Sequence, residues 1–198
     1  HPALASSHKL LVTSATFEGG PGIAWTTTGE AVLAALPYRP PTRTPKPQVH
    51  GVQSAIVVGP KGQEIHTDEL GRVRVQFPWD REGKHDEHSS PWIRVSQGWA
   101  GTGYGMIVIP RIGQEVLVGF EDGDPDRPIV VGRVFNAIEQ VPFKLPEHKT
   151  RSTWKSDSSP GSGGYNELKF EDKKGEELLY HQAERDQLVH QLERCWPR

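Results

Sequence analysis

The chain has 198 residues, of which 34% are hydrophobic, 21 are glycine and 17 are proline. This lean composition predicts one ordinary domain, or a small domain with extended appendages, in which only part of the chain folds by itself. A formal net charge of -2 excludes overall attraction to nucleic acid or anionic membrane, and a single cysteine, Cys195, excludes an internal disulfide scaffold.

The first predicted element is one strand over residues 8–18, which are rich in β-branched and aromatic side chains and precede the turn-forming residues 19–22. No partner strand is predicted nearby, so this strand is expected to join a sheet supplied from elsewhere. Residues 31–36 could form at most one or two helical turns. The proline-dense residues 37–47 predict a stiff, extended linker that holds two units apart.

Strand signals then follow one another between residues 49 and 136, with short turns and no helix. Residues 71–77 alternate, with Val73, Val75 and Phe77 on one side and Arg72, Arg74 and Gln76 on the other. Residues 92–97 alternate in the same way, residues 106–109 form a short apolar run, and residues 115–121 and 128–135 bracket an acidic turn. Five or six such strands predict a small antiparallel barrel or sandwich, and a closed barrel leaves fewer exposed edges.

The pattern changes after residue 136. Residues 152–164 are rich in Ser and Gly and predict a connection whose only packing side chain is Trp154. Residues 165–170 and 177–181 then predict a two-stranded hairpin around a turn at 172–175. Such a hairpin is marginal alone in water, so neighbours are expected, and identical chains would provide them.

Three stretches carry a family resemblance. EIHTDELGRVRVQFPWDREG (64–83) and GYGMIVIPRIGQEVLVGFEDGDPDRPIVVGRVFN (103–136) resemble the oligonucleotide/oligosaccharide-binding (OB) barrel of VgrG proteins, the spikes of bacterial type VI secretion. GGYNELKFEDKKGEELLYHQAERDQ (163–187) resembles the entry into the needle of that family. The chain departs from the family at Pro91, where a cysteine is frequent, and after Gln187, where the valine-glycine strands of the needle do not follow.

The resemblance implies a mainly β fold, with a small OB-type antiparallel β-barrel followed by the start of a trimeric β-helix needle. It implies five regions: the end of a ring-forming domain (1–36), a Pro-rich linker (37–48), the barrel (49–137), a connecting segment (138–164), and the first needle strands with a tail (165–198). In the tail, the spacing of Leu188 and Leu192 suits a short helix, and a frayed end fits equally well. Because the chain begins at His1, it is expected to be a fragment.

The function implied is structural. A VgrG spike is a homotrimer that sheath contraction drives through a membrane, with a hexameric tube protein, a PAAR-type tip protein and effectors as its other partners. It is assembled in the bacterial cytoplasm and then secreted or injected, and no signal-peptide pattern is found in this sequence. Since the needle is cut short, the fragment itself is expected to be monomeric or only weakly trimeric. A phage tail or another contractile injection device is the alternative of the same kind.

The rival of another class is an OB module that binds nucleic acid or oligosaccharide. Trp79 and Trp92 could serve as stacking platforms beside the arginines of the barrel. However, the net charge is slightly negative, and the arginines alternate with Asp and Glu, so no nucleic-acid partner is expected. The arginines concerned are Arg72, Arg74, Arg81, Arg94 and Arg111.

No catalytic, metal-binding or cofactor-binding residue is predicted. The glycines at 101, 103 and 105 precede a strand rather than a helix, the 122–126 acidic turn lacks the glycine and the glutamate of a calcium loop, and His85 and His88 lie in a polar segment. The candidate residues are therefore apolar ones that fill either the core or a trimer interface. They are Trp79, Trp92, Trp99, Tyr104, Leu168, Phe170, Leu178 and Tyr180.

Overall fold

The structure is a computed structural model that describes residues 8–189. The chain divides into two compact units, residues 1–46 and residues 47–198. Twelve strands, β1 to β12, and one 3₁₀ turn at Glu121–Gly123 account for the regular structure of the described residues. Within these residues, no helix has the length and apolar character needed to cross a membrane.

The first unit contains a long β-hairpin. Strand β1 (Leu10–Gly20) pairs antiparallel with β2 (Ile23–Leu33), from Leu10 opposite Leu33 to Gly20 opposite Ile23. The prediction of a lone first strand was therefore wrong, as was the helical turn predicted from residue 31. The β-branched and aromatic residues 23–28 favour a strand and supply the missing partner. Residues 37–51 form no strand or helix, and their role as a linker stays a prediction.

The second unit is built on a five-stranded barrel. Its strands are β3 (Val52–Val58), β4 (Arg74–Gln76), β5 (Arg94–Val95), β8 (Glu115–Phe120) and β9 (Pro128–Arg133). They lie in the order β4-β3-β8-β9-β5, and an antiparallel bridge between Val73 and Ile93 joins the two outer strands and closes the sheet.

One pair in this barrel, β5 with β9, is parallel rather than antiparallel. The reason is geometric: strands that alternate strictly in direction can close only a ring with an even number of members. A closed ring of five strands must contain at least one parallel pair. The prediction of a closed β-barrel is confirmed, and the parallel pair refines it.

The barrel interior is almost entirely aliphatic. Val57, Val73, Val75, Val116 and Val118 are fully buried, together with Ala55, Ile93 and Val130. These residues alternate along their strands with residues that point outward, as the period of a strand requires. This burial of branched side chains is the main contribution to the stability of the barrel.

Gln76 does not follow the predicted alternation. It was assigned to the solvent side with Arg72 and Arg74, but it is only 2% exposed. Its amide Nε2 donates a hydrogen bond to the backbone oxygen of Asp80 at 2.9 Å, so the loop after β4 covers this side chain. A buried polar side chain that gains such a partner escapes part of the desolvation penalty.

A short hairpin leaves the barrel between β5 and β8. Strand β6 (Trp99–Gly101) pairs with β7 (Tyr104–Met106) across a two-residue turn in which Gly103 has a positive φ of 76°. The apolar strand predicted over residues 106–109 thus ends at Met106. Beyond it, the side-chain oxygen of Gln97 accepts a hydrogen bond from the backbone N–H of Val108 at 3.1 Å, where a partner strand would otherwise bond.

The last sheet has three antiparallel strands, β10 (Arg151–Lys155), β11 (Glu167–Glu171) and β12 (Leu178–Gln182), in that order. The predicted hairpin is present, but residues 152–155 belong to a third strand and not to a loose connection. Thr153 and Trp154 favour strand structure despite the serines around them. Leu188 is not helical, whereas Leu192 and Cys195 lie outside the described residues.

Candidate functional site

One face of the β10–β11–β12 sheet is mainly apolar and largely open to solvent, with Ser152 and His181 as its polar members. The register places Trp154 beside Leu168 and places Phe170 beside Leu179. Trp154 is 70% exposed, Phe170 43% and Leu179 57%. We call these four residues the apolar face. A contiguous exposed apolar surface of this kind marks an interaction site, because isolated globular chains avoid it.

The opposite face is polar and its charges are satisfied within the sheet. Glu171 accepts hydrogen bonds from the Thr150 hydroxyl at 2.5 Å and from Arg151 Nε at 2.7 Å. These two bonds, in that order of importance, lower the pKa of the Glu171 carboxyl to about 2. Glu167 accepts a hydrogen bond from the Thr153 hydroxyl at 2.8 Å. This face therefore needs no other chain to neutralise it.

The sheet separates the four predicted candidates of this segment. Leu168 and Phe170 lie on the apolar face, whereas Leu178 and Tyr180 pair with Glu171 and Lys169 on the polar face. Trp154 and Leu179 were missing from the prediction. The period-two pattern of β12 does not distinguish Leu178 from Leu179, because the two leucines are adjacent. Only the register with β11 shows which of them faces the apolar side.

None of the four barrel aromatics lies in the buried core. Trp79 stacks on Phe77 with ring centroids 5.0 Å apart, and its Nε1 donates to the side-chain oxygen of Gln53 at 2.9 Å. Trp99 and Tyr104 meet edge to face, 5.7 Å apart, on the β6–β7 hairpin, and each is 64% exposed. The single chain does not bury these residues in its core, and their role at an interface stays a prediction.

Trp92 is half-buried and packs against charged and polar neighbours. The Arg74 guanidinium lies 4.6 Å from the centre of its ring, and the His66 ring lies 4.8 Å away on a tilted plane. Arg74 also donates hydrogen bonds to the backbone oxygens of Glu87 and Ser90. Arg74 thus links Trp92 to the 77–91 loop, which leaves this tryptophan poorly placed to stack on a free base.

Three of the other arginines considered for a nucleic-acid groove, Arg72, Arg94 and Arg111, are engaged as well. Arg72 binds Asp68 at 2.6 Å and lowers the pKa of that carboxyl, and Arg94 binds Glu121 at 2.6 Å. Arg111 donates to the backbone oxygen of Asp157 at 2.6 Å. Contacts to phosphate would have to compete with these bonds. The geometry therefore favours a structural use of Arg72, Arg74, Arg94 and Arg111.

The acidic turn after β8 contains a hydrogen bond and an ion pair between its own residues. Asp124 Oδ1 accepts a hydrogen bond from the backbone N–H of Asp126 at 2.9 Å, and Arg127 lies 3.3 Å from Asp122. His85 and His88 lie in the 77–91 loop. Among residues 8–189, no three His, Cys, Asp or Glu side chains are close enough together to hold a metal ion.

Comparison with known families agrees with this division into barrel and sheet. Residues 54–135 match the type VI secretion system and phage-baseplate injector OB domain. Residues 152–193 match the C-terminal trimerisation domain of bacteriophage T4 gp5, and this match includes the whole apolar face. The barrel and the sheet together define the class: an injector OB domain that continues into a trimerisation segment.

Individual relatives narrow the class to one family. The chain is 60% identical over 149 residues to the type VI secretion system spike protein VgrG4b of Pseudomonas aeruginosa, covering 75% of this chain and 18% of that protein. It is 48% identical over 199 residues to VgrG1c of the same organism, covering 94% of this chain and 27% of that protein. The chain belongs to the VgrG family of type VI secretion spike proteins.

Two further comparisons show how small a part of a longer protein is matched. The actin cross-linking toxin VgrG1 of Vibrio cholerae is 54% identical over 142 residues, which is 72% of this chain and 13% of the toxin. A solved type VI secretion component of E. coli is described as structurally similar to the T4 tail proteins gp27 and gp5. It matches with 26% identity and a TM-score of 0.44, and the match covers 63% of this chain and 30% of that chain. The chain spans less than a third of the length of each of these relatives.

Proposed function

We propose that this chain forms the barrel and the first needle strands of a homotrimeric spike, which type VI secretion drives into a target cell. The single observation that carries the proposal is the apolar face: Trp154, Phe170 and Leu179 are exposed and Leu168 is half-buried, and all four lie within the segment that matches a trimerisation domain. The charged groups of the polar face are paired within the sheet, whereas the apolar face has no partner to pack against. In the trimer, the apolar faces of further copies of the same sheet pack against it.

Three-fold closure explains why the sheet is built from strands of one chain but is left open. Around a three-fold axis each copy makes the same head-to-tail contact with the next, and the ring closes after three. The apolar faces then point to the common axis and are removed from water. A stable contact of this kind buries on the order of 1,000 Å² or more. The closed sheets have few free edges and carry axial load through many hydrogen bonds.

The role in the secretion machine follows from the family. The spike would sit on a hexameric tube protein, carry a PAAR-type tip protein and deliver effectors. It would be assembled in the bacterial cytoplasm and then be secreted or injected. We assign no catalytic step to this chain. Two of its relatives are named as spike proteins, and the relative named as a toxin is matched over only 13% of its length.

The test is self-association measured over a concentration series. Light scattering of the 198-residue chain should show a monomer–trimer equilibrium, and a Trp154→Ser, Phe170→Ser double variant should remain monomeric at concentrations where the unmodified chain is trimeric. The matched control is Leu178→Ser, because Leu178 is also 52% exposed but lies on the polar face. It should trimerise like the unmodified chain. A stable dimer, or equal loss in the control, would contradict the proposal.

A further inference from the structure

We propose that Trp79 is the platform of a saccharide-binding site at one end of the barrel, where a sugar ring of a neutral oligosaccharide stacks on the open face of the indole. Gln53, which is hydrogen-bonded to Trp79, and Arg81, two residues further along the chain, supply hydrogen bonds to the sugar hydroxyls. This binding function is additional to the proposed spike and does not depend on trimer formation.

Trp79 lies at the end of the barrel at which β3 begins. Gln76 on β4 is opposite Ile56 on β3, and the same antiparallel register continued by three residues brings Trp79 to the level of Gln53. Trp79 stacks on Phe77, which itself packs against the buried core. The side chain of Trp79 therefore continues the barrel core outward and ends at the solvent.

Trp79 is held in one orientation although it is 64% exposed. One face of its ring stacks on Phe77 at 5.0 Å with 15° between the planes, and its Nε1 donates a hydrogen bond to the Gln53 side-chain oxygen at 2.9 Å. The backbone beside it is also fixed, because the Asp80 N–H donates to the Phe77 carbonyl at 3.1 Å and the Asp80 carbonyl accepts from Gln76 Nε2 at 2.9 Å. Little side-chain freedom therefore remains to be lost when a ligand binds.

The other two tryptophans of the barrel are not arranged in this way. The Arg74 guanidinium lies 4.6 Å from the centre of the Trp92 ring, and Trp92 is half-buried. Trp99 is as exposed as Trp79, but it meets Tyr104 edge to face on a hairpin. Trp79 combines one face supported by a parallel ring with one face in water, which is the arrangement that stacking of a flat ligand requires.

The chemistry of this surface matches a sugar. The C–H groups of a sugar ring carry small positive partial charges and are attracted to the negative face of an aromatic ring. Gln53 uses only its side-chain oxygen in the bond to Trp79, so its amide N–H groups can donate to a hydroxyl. Arg81 is exposed and forms no ion pair among residues 8–189, and its planar guanidinium can donate two parallel hydrogen bonds to neighbouring hydroxyls. OB-type barrels are known to accept oligosaccharides as ligands.

The charge around Trp79 favours a neutral sugar over an anionic polymer. Residues 80–88 carry four carboxylates but only one arginine and one lysine, so a phosphate or a uronic acid would be repelled there. A purely apolar partner would leave the polar groups of Gln53 and Arg81 without hydrogen bonds. A neutral oligosaccharide meets neither cost.

A nuclear magnetic resonance titration tests the site with chitohexaose, a neutral oligosaccharide of N-acetylglucosamine. The indole N–H signal of Trp79 is identified by its absence in Trp79→Phe, and the isotope-labelled chain is kept at a concentration where light scattering shows a monomer. The sugar should shift this signal and leave the indole signals of Trp25 and Trp154 in place. Trp79→Ala should weaken binding about 5- to 150-fold, as for the loss of one stacked ring.

The matched control is Trp99→Ala, because Trp99 is 64% exposed like Trp79 but has no fixed, open ring face. It should bind the sugar like the unmodified chain. Trp79→Phe keeps an aromatic face but loses the bond to Gln53, so it should have an intermediate affinity. If Trp79→Ala does not fold, Trp79→Leu takes its place, since leucine still covers Phe77 but offers no aromatic face.

An unshifted Trp79 signal at millimolar chitohexaose overturns the inference, as does an equal loss of binding in Trp99→Ala. Tighter binding of a single-stranded oligonucleotide than of the sugar also overturns it, because the ligand class would then be wrong. Loss of the sugar response in the trimeric chain would show that Trp79 is a contact between copies, which overturns it as well. None of these outcomes changes the light-scattering test of trimer formation, so the proposed function is judged separately.

Discussion

Glu64 and Gly161 are 97 residues apart in sequence, but the Glu64 carboxylate accepts a hydrogen bond from the Gly161 backbone N–H at 2.6 Å. A hydrogen bond from the Ser159 hydroxyl and the one from Gly161 lower the pKa of Glu64, so it is ionised at neutral pH. Arg111 reinforces the junction through its bond to the Asp157 backbone oxygen. The barrel thereby holds the segment that leads from β10 to β11.

The first prediction concerns this junction. Glu64→Ala should leave the barrel folded but increase proteolytic cleavage and amide exchange within residues 156–165, because the charged acceptor is lost. Glu64→Gln keeps a neutral acceptor and should have an intermediate effect. Hydrogen exchange followed by mass spectrometry measures both. The matched control is Glu69→Ala, an exposed residue of the same region. Equal exchange in all three variants would exclude the proposed role of Glu64.

A second prediction concerns the barrel closure at Ile93. This side chain is 1% exposed, and its backbone bridges to Val73. Ile93→Ala should lower the free energy of unfolding by about 2–5 kcal/mol, and Ile93→Val by about 0.5–1.5 kcal/mol, because each creates a cavity in proportion to its lost volume. Leu70→Ala, at a largely exposed leucine, should change it by no more than about 0.5 kcal/mol. Urea unfolding measures all three, and an equal loss for Leu70 would contradict the assigned core.

The third prediction uses the pKa of Glu171, which is lowered from 4.5 to about 2, first by the Thr150 hydroxyl and then by Arg151. A folded pKa below the unfolded one stabilises the fold fully above about pH 4.5, and this contribution is lost as the pH falls toward 2. The melting temperature should therefore drop less between pH 6 and pH 3 in Glu171→Gln than in the unmodified chain. Glu176→Gln, at an exposed carboxylate, should behave like the unmodified chain. An unchanged slope in Glu171→Gln would contradict the assignment.

Much of this fold could be predicted from alternation and turn residues. Val73 and Val75 alternate with their neighbours, and their burial in the closed barrel agrees with that pattern. The resemblance of the barrel and needle sequences to the VgrG family is confirmed by the family matches and the close relatives. These features are local in sequence, because alternation and turn chemistry depend on residues within a few positions of each other.

What could not be predicted depends on pairing between distant residues. Strand β10 lies in a Ser-rich stretch, and only its pairing with β11 turns Trp154 toward Leu168. The adjacent leucines 178 and 179 look equivalent until the register assigns them to opposite faces. The local alternation predicts an exposed Gln76, because the loop that buries this side chain is not part of the pattern. Register and burial by loops are tertiary properties, and a one-residue shift reverses every side chain of a strand.

The last prediction concerns the backbone of the hairpin that carries Trp99 and Tyr104. Gly105 has a φ of 140°, and a Cβ at this position would lie 2.5 Å from the backbone oxygen of Trp99 on the paired strand. Gly105→Ala should therefore distort the β6–β7 hairpin without unfolding the barrel, whose core does not include it. Near-ultraviolet circular dichroism should show a weaker signal from the Trp99–Tyr104 pair, while the far-ultraviolet spectrum is retained.

The matched control is Thr102→Ala, because Thr102 lies exposed in the turn of the same hairpin and its substitution leaves all three hairpin glycines in place. It should keep the aromatic signal and change the melting temperature little. The stability of the barrel in Gly105→Ala should stay close to that of the unmodified protein, because Gly105 lies outside the buried core. An unchanged aromatic signal in Gly105→Ala would contradict this prediction, because the backbone at Gly105 would then tolerate a side chain despite the close approach of the paired strand.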